Sequence, residues 1–64
     1  MKRRDVIRYL LKEGCVFDRE GARHSVFFNP RMKLTSSVPR HPEIDGNLFK
    51  KILKDLGIDK KNRK

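Results

Sequence analysis

The stretch His24-Ser25-Val26-Phe27-Phe28 decides the fold of this chain, because it is the clearest β-strand in the sequence. Its β-branched and aromatic residues favour extended backbone. The turn-forming segments Glu20-Gly21-Ala22-Arg23 and Asn29-Pro30-Arg31-Met32 lie directly before and after it. Short turns join neighbouring antiparallel strands, so the sequence predicts two more strands, at residues 15–19 and 33–38.

Amphipathic helices flank these strands on both sides. Residues 3–13 carry apolar side chains at the spacing of one helical face, and Gly14 is a plausible stop. These apolar residues are Val6, Ile7, Leu10 and Leu11. A second helix is predicted from Gly46 to Leu56, capped by Asp45 or Asn47 and closed by Gly57 followed by Ile58. Its apolar stripe is Leu48, Phe49, Ile52, Leu53 and Leu56.

The predicted order is α-β-β-β-α, which indicates an α+β fold. The economical arrangement is a three-stranded antiparallel sheet with both helices on one face. Both faces of the central strand are partly apolar, so the sequence leaves open which face the helices cover. We expect one domain over residues 1–58 and a charged, disordered tail at 59–64.

The charge of the chain indicates what kind of partner it binds. A formal charge of +9 on 64 residues favours a nucleic acid or an acidic protein. No apolar run approaches the roughly 18 residues of a membrane span, so we expect no membrane association. Cys15 is the only cysteine and cannot form an internal disulfide. We therefore expect a cytoplasmic protein in which Cys15 is a small buried residue.

Several chemistries can be set aside from the sequence. Zinc sites need about four ligands at defined spacing, which one cysteine and two separated histidines do not supply. The four glycines are isolated and form no phosphate-binding loop. Ser25 follows His24 directly, but neighbours on a strand point to opposite faces, which argues against a serine hydrolase. We expect neither a metal nor a cofactor.

RNA cleavage requires fewer catalytic groups than these chemistries, and His24 is the candidate catalytic residue. The 2′-hydroxyl of RNA already lies beside the phosphate that it attacks, so the substrate supplies proximity. A neutral imidazole can remove the proton, and arginines or lysines can stabilise charge on the phosphoryl oxygens. The acid that protonates the leaving oxygen is left open between His41, a lysine and water. A loop or strand-edge role is the ordinary alternative for both histidines.

Basic residues are spread along the whole chain. Arg4, Arg8 and Lys12 recur every fourth residue of the first helix and form a cationic stripe, which is either a phosphate-binding or a simply solvated face. The predicted RNA-binding residues are Arg4, Arg8, Lys12, Arg23, Arg31, Lys33, Arg40 and His41.

A family resemblance adds to this interpretation. The segment Gly21-Ala22-Arg23-His24-Ser25-Val26-Phe27-Phe28-Asn29-Pro30, followed by Val38-Pro39-Arg40-His41-Pro42-Glu43-Ile44, resembles the HicA family of bacterial toxins. The resemblance implies a fold like that of double-stranded-RNA-binding domains, with His24 as the catalytic residue. It also implies a ribonuclease toxin that cleaves mRNA and halts translation, inhibited by a HicB-like antitoxin that covers the site. Ala22-Arg23 departs from the Gly-Ser that often precedes the histidine, and Ser25 replaces a frequent second histidine.

Two other functions are consistent with the same residues. The chain could be a non-catalytic RNA-binding module, because A-form RNA is recognised mostly through phosphate and 2′-hydroxyl contacts. It could also be chiefly a partner-binding protein whose basic face docks an acidic surface.

Overall fold

The computed structural model describes residues 1–58 of the chain, and the tail predicted at residues 59–64 lies outside them. The α-β-β-β-α order is confirmed. The elements are α1 (Arg3–Lys12), β1 (Val16–Glu20), β2 (His24–Asn29), β3 (Leu34–Pro39) and α2 (Gly46–Asp55). Every boundary lies within one residue of its predicted position. No helix in residues 1–58 has the length and apolar character needed to cross a membrane.

The strands form one antiparallel sheet with β2 in the centre. Ser25, Phe27 and Asn29 of β2 are buried, and the alternate residues are more exposed. Both helices therefore pack on the Ser25 side, which the sequence had left open. The other side carries His24, Val26 and Phe28, and we call it the open face.

The two helices and the inner face of the sheet enclose a small core. Its buried members are Val6, Leu10, Cys15, Phe27, Val38, Ile44, Ile52, Leu56 and Ile58. The prediction that Leu11 faces the core is wrong, since this side chain is 52% exposed. Leu11 lies about 100° round the helix from Leu10, and that rotation carries it out of the contact with the sheet.

A cap at each end defines where α2 begins and ends. Asp45 Oδ1 accepts hydrogen bonds from the backbone N–H groups of Asn47 (2.7 Å) and Leu48 (3.1 Å), as an N-cap does. Gly57 has a φ of +72°, and the Ile58 N–H donates back to the Leu53 carbonyl at 2.9 Å. This is the predicted Schellman ending.

The N-terminal residues run beside the segment that follows β3. The Ile44 N–H donates to the Met1 carbonyl at 2.7 Å, and the Arg3 N–H donates to the Pro42 carbonyl at 2.9 Å. This pairing holds the start of α1 against the end of β3. It thereby brings Arg3 to the end of the sheet where β2 begins.

Candidate functional site

His24 is the first residue of β2 and lies on the open face, with an exposed side chain. Its backbone carbonyl accepts a 2.7 Å hydrogen bond from the Gly21 N–H, which closes the turn between β1 and β2. Pro39, the last residue of β3, is its cross-strand partner. The imidazole is thus accessible to a large polymer, while the backbone that carries it is fixed on both sides.

Ser25 lies directly beneath this position, on the helix side of the sheet. Its side chain is only 4% exposed. Ser25 Oγ accepts a 2.6 Å hydrogen bond from Arg3 Nη2 and donates to the two carboxylate oxygens of Glu20 at 3.0 and 3.2 Å. A buried hydroxyl placed between a cation and an anion satisfies both its donor and its acceptor capacity.

Two arginines extend these contacts into neighbouring segments. Arg40 forms an ion pair with Glu20, and its Nη2 donates to the Gly21 carbonyl at 3.0 Å. Arg3 Nε donates to the Pro39 carbonyl at 2.8 Å. We refer to Arg3, Glu20, Ser25 and Arg40 as the Ser25 network. It joins α1, β1, β2 and the segment after β3 at the end of the sheet that carries His24.

A comparison with protein families identifies the chain at this point. The sequence model described as the HicA toxin of bacterial toxin-antitoxin systems matches residues 3–58. The chain belongs to the HicA toxin family. No curated protein and no solved structure gives a significant match. The match runs from the first residue of α1 to Ile58, so it includes His24 and all of the Ser25 network.

Five of the eight predicted RNA-binding residues of this HicA-family protein lie in two groups, one at each end of β2. Arg23 lies beside His24 in the β1–β2 turn, and Arg40 and His41 follow β3 at the same end of the sheet. Arg31 and Lys33 lie in the β2–β3 turn, about 16 Å away by the rise of an extended strand. All five side chains are exposed. A strand of nucleic acid lying along β2 would pass from one group to the other.

The cationic stripe of α1 forms a separate surface. Arg4, Arg8 and Lys12 are all exposed, and Arg8 lies 3.6 Å from Asp5 one turn earlier. Exposed pairs of this kind contribute little and are screened by salt. The stripe therefore keeps its positive charge available to an anionic partner.

Sequence reasoning missed Arg3 and Glu20, and it considered Ser25 as a hydrolase nucleophile and as the replacement for a second histidine, but not as a buried hydrogen-bonding residue. The sequence did carry a signal for the contact between Glu20 and Ser25. Glu20 and Ser25 flank the turn Gly21–His24, and residues on either side of a hairpin turn become cross-strand partners. Nothing in the spacing indicates that Arg3 reaches Ser25, because that contact depends on how α1 docks.

Cys15 is buried between the end of α1 and β1. Burial raises the pKa of its thiol, the Glu13 carboxylate raises it further, and Arg31 opposes both by lowering it. A thiol with a raised pKa is a poor nucleophile at neutral pH. The structure thus agrees with the interpretation of Cys15 as a small core residue.

Proposed function

We propose that this HicA-family protein is an endoribonuclease that cleaves mRNA, with His24 as the general base, and so inhibits translation. It would act as the toxin of a type II toxin-antitoxin system. The observation that supports this most directly is the placement of His24. Its imidazole is exposed at the start of a fixed strand, and two exposed basic side chains, Arg23 and Arg40, lie at the same end of the sheet.

The proposed reaction uses side chains of the protein, the RNA itself and, at one step, water as one of the candidate proton donors. His24 takes the proton from the 2′-hydroxyl of the RNA, and the 2′-oxygen forms a new bond to the adjacent phosphorus. The bond between that phosphorus and the 5′-oxygen breaks, and the leaving oxygen takes a proton from His41, a lysine or water. The products are a 2′,3′-cyclic phosphate and a free 5′-hydroxyl. Proton transfer by a positioned side chain contributes about 10²–10⁴-fold.

The charged groups around His24 differ in how available they are. Arg40 is committed to Glu20 and the Gly21 carbonyl, so its main contribution is to hold the turn. Arg23 is exposed in the same turn and can contact the phosphate undergoing attack. A positive charge there stabilises the negative charge that develops on the phosphoryl oxygens.

A HicB-like antitoxin is the partner that family membership implies. We propose that it docks against the basic surface and covers His24, which would block cleavage and weaken RNA binding together. Opposite charge on the antitoxin would speed this association. RNA binding that persists at saturating antitoxin would contradict the arrangement.

The direct test compares the wild-type protein with His24→Ala, using His41→Ala as a second histidine variant. Bacteria expressing wild type should stop growing and lose intact mRNA, whereas His24→Ala should allow normal growth. Purified wild-type protein should leave 2′,3′-cyclic phosphate ends on a defined RNA, and His24→Ala should cut about 10²–10⁴-fold more slowly. Because the His24 side chain is exposed, its replacement should leave the melting temperature unchanged.

Three outcomes would overturn the proposal. Equal growth inhibition by wild type and His24→Ala would remove His24 from the reaction. Ends carrying a 5′-phosphate would refute attack by the neighbouring hydroxyl. Salt-sensitive RNA binding with no product over hours would instead identify a non-catalytic RNA-binding module.

A further inference from the structure

The open face of the sheet carries an apolar patch that the fold does not use. On this face Phe28 lies between its cross-strand neighbours Val16 and Thr35, and Val26 lies next to it along β2. Phe28 and Val26 are half-buried, and Val16 is 47% exposed. Among residues 1–58, neither the core nor the apolar side chains packed against it include Val16, Val26 or Phe28. The patch therefore lies outside the core, although Val26 and Thr35 line a surface cavity that residues of α2 also border.

The size of the patch indicates what can bind there. Neighbouring strands lie about 4.8 Å apart, so the row from Val16 through Phe28 to Thr35 spans about 10 Å. This matches the footprint of one nucleobase. A stable protein interface buries about 800 Å² on each partner, which needs a larger apolar centre than three side chains. The net charge of +9 also favours a polyanion.

The surroundings of the patch suit single-stranded RNA rather than a duplex. Thr35 and Ser37 place hydroxyl groups on the same face, where they can bond to base edges, and Arg19 lies beside Val26 in register. A duplex keeps its base faces stacked inside, so only unpaired bases can lie flat against an aromatic ring. Such stacking is tolerant of sequence because every base has a π-face.

The patch and His24 share one strand face. Phe28 is four residues from His24 along β2, about 13 Å at the rise of an extended strand. We propose that the open face is a stacking platform, on which Phe28 holds one base of a single-stranded RNA whose backbone continues to His24. The inference rests on the proposed function in one respect, which is that the RNA bound on the platform is the substrate of the nuclease.

Binding should be measured in the His24→Ala background, so that no cleavage occurs. The probe is a short unstructured RNA with a fluorescent adenine analogue placed at successive positions. Phe28→Leu keeps an apolar side chain but removes the ring, and it should weaken binding about 5- to 150-fold, equivalent to about 1–3 kcal/mol. It should also abolish the fluorescence quenching at one position of the probe. Phe28→Tyr, which keeps the ring, should retain both.

Phe17→Leu is the matched control on the same sheet. Phe17 is an aromatic residue of β1 that is 52% exposed and packs edge-on against Phe27, whose ring centre is 5.8 Å away. Its replacement should leave RNA binding unchanged. The salt dependence of binding should be the same in Phe28→Leu as in the parent, because stacking releases no counterions. Circular dichroism of each variant verifies that it is folded.

Unchanged affinity and quenching in folded Phe28→Leu would overturn the platform, as would equal losses in Phe28→Leu and Phe17→Leu. The platform would also be overturned if Phe28→Leu still bound RNA normally and lost binding only to an acidic protein. The platform and the nuclease fail separately. If wild type leaves RNA intact while Phe28→Leu still loses binding, the platform stands and the nuclease proposal falls. If wild type cleaves but Phe28→Leu binds normally, only the platform falls.

Discussion

Replacing Ser25 with alanine tests whether the Ser25 network holds the end of the sheet that carries His24. The substitution removes the 2.6 Å bond from Arg3 and the bonds to Glu20 at 3.0 and 3.2 Å. Hydrogen bonds to charged groups contribute about 1.5–3 kcal/mol each. Arg3 keeps the Pro39 carbonyl and Glu20 keeps Arg40, and the Glu20 side chain is 45% exposed to water. We therefore expect a net loss of about 1–2 kcal/mol.

This loss is large for a chain of this length. At about 0.05–0.15 kcal/mol per residue, the whole fold is stabilised by about 3–10 kcal/mol. In a domain of about 60–100 residues, 1 kcal/mol shifts the melting temperature by roughly 4–8 °C. Ser25→Ala should therefore melt about 5–15 °C below wild type.

Thermal unfolding followed by circular dichroism measures the shift. Ser37→Ala is the control, because Ser37 is exposed on the neighbouring strand and faces away from the helices. It should stay within about 0.5 kcal/mol of wild type. If Ser25→Ala melts at the same temperature as Ser37→Ala, the network does not stabilise the fold and our account of the site is wrong.

Two further predictions concern buried groups away from His24. Asn29 Nδ2 donates to the Leu56 carbonyl at 2.7 Å, so Asn29→Ala should lower the free energy of unfolding by about 1–3 kcal/mol, measured by urea denaturation. An unchanged urea midpoint would contradict this role. Burial raises the pKa of the Cys15 thiol. The neutral thiol therefore contributes its full stabilisation below the thiol pKa of the unfolded chain, about 8.5, and this stabilisation is lost as the pH rises above that value. The free energy of unfolding should fall more in wild type than in Cys15→Ala between pH 8 and 10. If the two curves of this free energy against pH run parallel, ionisation of Cys15 does not affect stability.

The order of the elements could be predicted because it depends on local signals. Gly21 and Pro30 lie in the turns on either side of β2, and the spacing of apolar residues separates helix from strand. The buried face of β2 could not be predicted in the same way. Its inner face carries Ser25 and Asn29 around Phe27, whereas the open face carries Val26 and Phe28. Apolar content alone would favour the wrong face.

The physical reason is that hydrogen bonds make the buried polar residues of β2 tolerable. Ser25 is satisfied by Arg3 and Glu20, and Asn29 by the carbonyl of Leu56 at the end of α2. A buried polar group is costly only when it lacks a partner. These partners lie 5 to 27 positions away in the chain. The most distant of them become neighbours only after both helices have docked.

His24 could be proposed from sequence because its position between a turn and a strand is local, and the family resemblance strengthened that proposal. The residues that support His24 could not be predicted from the sequence. Arg3 looked like one more basic residue of α1, yet its guanidinium bonds to both β2 and β3. The pairing of residues 1–3 with 42–44 brings it there, and no periodicity in the sequence encodes that pairing.

The two faces of β2 differ in what they contribute to the fold. On the inner side, the strand that carries His24 is held by the same hydrogen bonds that join the helices to the sheet, so a change at Ser25 must affect both fold and site. On the open side, His24 and Phe28 are not members of the core. Under the proposed function, a change there would alter RNA binding or cleavage in a protein that remains folded. A small domain has a small core, so it can lose few core contacts without unfolding. Under the proposed function, the reactive and binding groups lie on the face without core contacts, which would let the protein keep both a stable fold and an exposed site.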